Sequence, residues 1–162
     1  MLNMFNCKRA GLIALCFLAV SSFLSAQSTA MEIETLLETE AVTYAQAARF
    51  ILEAANVNIT PNPEEAFYFA AQENWIPRNA AIGDIARLDK ISLLLMRSFN
   101  IKGGLFYSIT KSSHYAYREL VYKGIIQGRH DPSMPVSGER LLFYVNRIYS
   151  VMGEPGGANE TF

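Results

Sequence analysis

The chain has 162 residues, 14 Lys+Arg, 15 Asp+Glu, 2 Cys and a net charge of −1. That balance excludes a nucleic-acid binder, which needs a basic face to neutralise phosphates. The length suits one compact domain once the N-terminal segment is set aside.

That segment reads as a cleavable secretory signal over 1–26. Lys8 and Arg9 supply the charge, Ala10 to Leu24 the apolar core, and Ser21 to Ala26 a small-residue exit. Cleavage is expected after Ala26, with Ala30 as the second choice. The core is about 15 residues, short of the ~20 that span a bilayer, so an uncleaved anchor is the weaker reading. Cys16 lies inside the core, with Leu15 before it and Phe17 to Val20 after it, so it is read as an apolar core residue and not as a lipidation site. Cys7 and Cys16 leave with the signal, so the mature chain is expected to hold no disulfide. Without Lys8 and Arg9 the 14 cations fall to 12 against 15 acids, a net −3. The expected location is the periplasm or cell envelope, with no stable transmembrane span after cleavage.

Met31 to Glu38 forms a short acidic helix with Ile33, Leu36 and Leu37 on one face. Thr43-Tyr44-Ala45-Gln46 is a capping box that opens a helix over about 43–56, with Ala47, Phe50, Ile51 and Ala54 inward. Asn56 to Pro63 is a loop, and Pro63 with Glu64-Glu65 starts a third helix, about 63–74. It carries Ala66, Phe67, Phe69, Ala70 and Ala71 and stops before Pro77. A helix at about 87–99 turns Leu88, Ile91, Leu94, Leu95 and Phe99 inward and is broken by Lys102-Gly103-Gly104. Leu105 to Thr110 reads as a short extended piece. Ser112 or Ser113 caps a helix over about 113–123, and Gly124 and Gly128 are placed in the left-handed conformation that ends it. Gly128 to Pro135 is a loop. Ser137 opens the last helix, with Leu141, Leu142, Val145, Ile148 and Tyr149 inward. The tail from Gly153 is expected to be disordered.

The fold class is therefore all-α, over a helical domain at 27–152. Its helices repeat in helix–loop–helix units that must share a core, since about 45 residues cannot stand alone. Ile76 matches Ile126 at a spacing of 50, Ile85 matches Val136 at 51, and Val42-Thr43 matches Ile85-Ala86 at 43.

The unit at 105–152 resembles an S-layer homology (SLH) domain. The residues carrying this are Ser113-His114-Tyr115-Ala116-Tyr117, Leu120 to Gly128 (LVYKGIIQG), Asp131-Pro132, and Pro135-Val136 before the final helix. A weaker copy covers about 63–101, and the second half of a first copy covers 41–56. The resemblance implies a noncatalytic module at a bacterial cell envelope, working in threes to hold cell-wall glycan or an envelope protein. The family opens its second helix with Thr-Arg-Ala-Glu, whose arginine is a glycan ligand. Here Ser137-Gly138-Glu139-Arg140 lacks it, and Ala86-Arg87-Leu88-Asp89 is expected to keep it as Arg87. The family's tryptophan is Tyr115, and its upstream aspartate is missing, with Ser108 or Thr110 nearby.

Candidate ligand- or partner-binding residues are thus Arg87, and Tyr115 with Arg118 and Arg129 as a stacking or protein-contact surface. Two readings stay open, a glycan-holding module and a small subunit of an envelope assembly that has lost glycan binding. No metal site, cofactor or catalytic residue is expected. His114 and His130 have no partners at metal spacing, and no nucleophile motif is present. Glu64-Glu65, Asp84 and Asp89 could pair for glycan hydrolysis, but fit helix first turns better. Tyr117 and Tyr122 are expected to straddle core and surface, among six tyrosines that include Tyr107, Tyr144 and Tyr149. Trp75 is read as a wedge closing the core.

Overall fold

The computed structural model describes residues 31–128 and 130–153. The expected signal, both cysteines, Arg129 and the tail beyond Gly153 lie outside the described residues. Contacts divide the chain after Glu38. In the first part, helix α1 occupies 31–37, closed by a Glu38 N–H to Glu34 C=O bond of 3.1 Å. Ile33 and Leu37 are exposed.

The second part, from Thr39, is all-α. Its helices are α2 (Tyr44–Ala54), α3 (Pro63–Gln72), α4 (Leu88–Ser98), α5 (Leu105–Thr110), α6 (Ser113–Tyr122) and α7 (Gly138–Met152). α2 begins with the full capping box, Thr43 and Gln46 each satisfying the other's backbone. Asn62 caps α3, with Pro63 at its first position and Glu64-Glu65 in its first turn. Ser112 caps α6 and Ser137 caps α7. α2 packs on α3 and α4 on α6, and α2 also touches α4 and α7. The shared core holds Ile51, Leu52, Leu88, Ile91, Leu94, Leu95, Leu120, Ile125, Leu141 and Ile148, all nearly inaccessible.

The starts of α2, α4 and α7 meet at one point. The N–H of Val42 donates to the carbonyl of Val136 (2.8 Å), that of Val136 to Ala86 (3.2 Å), and that of Ala86 back to Val42 (2.8 Å). This closed ring of three hydrogen bonds is buried. Each member precedes the N-cap of its helix, Thr43, Arg87 or Ser137, whose backbone is extended. A helix leaves its first N–H groups without intrahelical partners. Here the first N–H of each helix finds a carbonyl on another arm: Tyr44 on Asp84, Leu88 on Met134, and Gly138 on Thr39, at 2.9–3.0 Å. The ring sets the alignment one residue away from that expected, because Ala86 is the partner of Val136 while Ile85 is 45% exposed.

Four helices end alike. Asn56, Asn74, Asn100 and Gly124 have positive φ after α2, α3, α4 and α6. The next residue donates back to the last turn: Val57 to Leu52, Trp75 to Ala70, Ile101 to Met96 and Ile125 to Leu120. Such a left-handed stop satisfies otherwise free carbonyls. α4 therefore stops at Asn100, before the Lys102-Gly103-Gly104 break expected for it. Leu105–Thr110 is a short helix and not the extended piece expected. Tyr107 turns inward over Gly103, where an added Cβ would lie 2.5 Å from the ring, and the side chains of Ser108 and Thr110 bond carbonyls of the preceding turn.

Candidate functional site

The residues around Arg87 build a polar cluster between the starts of α4 and α6. Arg87 is the N-cap of α4, so it stands where Thr43 and Ser137 stand in α2 and α7. It is not the residue after the cap, as the alignment on Ala86-Arg87-Leu88-Asp89 had expected. That following place holds Tyr44, Leu88 and Gly138, all buried. The Arg87 side chain, 51% exposed, holds its Nε 3.5 Å from Asp89 Oδ1. Lys90 Nζ lies 3.1 Å from Asp89 Oδ2 and donates to Ser113 Oγ at 2.7 Å. Ser113 Oγ in turn donates to Asp89 Oδ2 at 3.2 Å. Asp89 is buried, and its Oδ1 accepts no hydrogen bond among the described residues, so the two cations offset its charge. Beside it the buried Tyr44 hydroxyl is pushed up by burial, opposed by a hydrogen bond from the Arg87 backbone.

A shallow cleft of about 330 Å³ opens along this cluster, with Asn74, Pro77, Arg78, Lys90 and Ser113 on its walls. Lys90 is tied to Asp89 and Ser113, which leaves Arg78 as the cation of this cleft with no carboxylate partner among the described residues.

Tyr115 and Arg118 lie one turn apart on α6. Tyr115 stacks on Phe106 of α5 (5.6 Å between centroids, 13° between planes), with His114 edge-on at 5.3 Å. Arg118 is exposed. Arg87 reaches α6 through Asp89 and Ser113, while the Tyr115 ring turns to α5, so the expected residues fall into two sets that meet at the first turn of α6. Tyr117 does straddle core and surface, donating its hydroxyl to the His130 carbonyl at 2.8 Å. Tyr122 does not: it is 88% exposed.

A larger cleft, about 670 Å³, was not foreseen from the sequence. Trp75 and Tyr107 form aromatic walls, and Arg97, Lys102 and Lys111 outweigh Glu73 in charge. Arg97 Nε is buried with no hydrogen-bond partner among the described residues. Trp75 is half-buried and packs edge-on to the half-buried Phe69 at 5.9 Å, beside this cleft. The signal that could have found it is the stretch from Lys90 to Arg118, which carries Arg97, Lys102 and Lys111 and no acid.

The carboxylates considered for hydrolysis do not converge. Glu65 accepts from the Thr60 hydroxyl, Asp84 from the Ala81 N–H, and Asp89 belongs to the cluster above. Among the described residues no three of His, Cys, Asp and Glu are grouped to hold a metal, and no helix is long and apolar enough to cross a membrane. No protein-family model, curated protein or solved structure matches the chain.

Proposed function

We propose that the chain is a noncatalytic scaffold module of a bacterial cell envelope, built of SLH-like units. The observation that carries this reading is the ring of Val42, Ala86 and Val136, which brings three helix starts to one centre. Three equivalent helix–loop–helix units would place their second helices in this way.

Of the two modes of action, contact with an envelope protein is favoured over the holding of cell-wall glycan. The second place of the family's tetrapeptide is filled by Tyr44, Leu88 and Gly138, none of which can offer a guanidinium to a sugar acid. The nearest arginine, Arg87, is one place earlier and faces Asp89. The module is then a small subunit that keeps the architecture and uses its outer faces, Tyr115 and Arg118 among them, to meet a protein partner.

Retention on purified cell wall tests this against the glycan reading. The account expects no retention on wall, and co-purification with an envelope protein that survives removal of wall material. Retention on wall that disappears in Arg87→Ala would restore the glycan reading and overturn this one.

A further inference from the structure

Helix α5 holds Leu105, Phe106 and Ile109 at 72%, 65% and 72% exposure. On a 3.6-residue period these three share one side, while Tyr107 takes the other and packs on Gly103. Phe106 is held by its stacking on Tyr115, and Tyr122 stands exposed further along α6. Single exposed apolar side chains are ordinary, but three on a six-residue helix form a patch that calls for a partner. None of the three lines either cleft, so they project from the surface and do not wall a groove.

Charge says what covers them. Between residues 102 and 123 the chain carries Lys102, Lys111, Arg118 and Lys123 against Glu119 alone, a local +3 in a protein of net −1. Among the described residues none of the four cations has a carboxylate partner. Lys102 and Lys111 stand just outside the two ends of α5, where both also border the larger cleft. Protein interfaces are depleted in lysine. Apolar and aromatic side chains bracketed by lysines suit a lipid–water boundary, where long side chains carry their charge up to the headgroups.

We infer that α5 is a reversible docking element for an anionic membrane surface. Leu105, Phe106 and Ile109 enter the boundary between headgroups and acyl chains, and Lys102, Lys111 and Lys123 meet the lipid phosphates. The inference needs only that the chain reach a membrane, and stands or falls apart from the SLH-like reading, which the wall-retention experiment tests.

The test uses the full chain carrying Leu105→Trp, or Ile109→Trp as a second reporter, with the unsubstituted chain subtracted for Trp75. The probe is a vesicle of equal parts phosphatidylglycerol and phosphatidylcholine with brominated acyl chains. The expected result is quenching of the added tryptophan, absent on phosphatidylcholine alone. Lys102→Glu with Lys111→Glu weakens vesicle binding about tenfold, with an unchanged circular dichroism spectrum because both side chains are exposed. An unquenched reporter on anionic vesicles overturns the inference, even where residues 1–26 tether the chain or an acidic protein binds instead. Equal quenching on neutral vesicles overturns it too.

Discussion

Gly124 has φ of +71°, and a Cβ placed there would meet nothing within 4 Å. The cost of Gly124→Val is therefore backbone strain without a clash, about 1–2 kcal/mol, and Gly124→Asn should cost less. Calorimetry of the two variants checks the order. The glycine was legible in the sequence because it follows a periodic apolar helix. Asn56, Asn74 and Asn100 make the same stop but carry no such mark in the sequence, since asparagine enters many turns and its left-handed use depends on the helix before it. Asp89 and Arg87 make a second contrast. Asp89→Ala strands Lys90 and Ser113 and is expected to cost about 1–3 kcal/mol in denaturant unfolding, whereas the half-exposed Arg87→Ala should stay within about 0.5 kcal/mol. Comparable losses for both would contradict the picture of Asp89 as the buried member of the cluster.

Among the elements, the helix starts were the most legible. Thr43-Tyr44-Ala45-Gln46 forms the box its letters promise, and Thr43→Ala should lower stability by about 1 kcal/mol, measured as a shift in urea midpoint. Leu105–Thr110 was misread because Phe, Tyr, Ile and Thr favour extended backbone when nothing else decides. Burial of Tyr107 against Gly103 decides here, and sequence periodicity over six residues is too short to reveal it. The alignment at Ile85 failed for a related reason. A search for apolar matches prefers isoleucine to alanine, but the ring is made by backbone groups, which the side chain of Ala86 does not announce. The misplacement of Arg87 by one position followed from that choice. Tyr115 and Arg118 were found as surface residues of α6, while the stacking of Tyr115 on Phe106 depended on how α5 folds back, which no local pattern records.

At the scale of the whole molecule, the all-α class and most of the buried faces followed from apolar spacing, while the arrangement of helices around one centre rests on backbone groups that the letters do not distinguish. Burial pushes the hydroxyls of Tyr44, Tyr107 and Tyr144 above the ordinary value of 10.0. A group whose pKa is raised on folding gives stability that is whole below its unfolded pKa and is lost as pH rises through the folded one. The melting temperature should thus begin to fall as pH passes about 10, with Tyr144→Phe reducing the loss. The central claim is that Val42, Ala86 and Val136 close the centre on which α2, α4 and α7 all depend. Native-state hydrogen exchange at these three amides tests it most directly. The account predicts that all three open only with global unfolding, at one common free energy; an amide of the ring that exchanges orders of magnitude faster than the other two would contradict it.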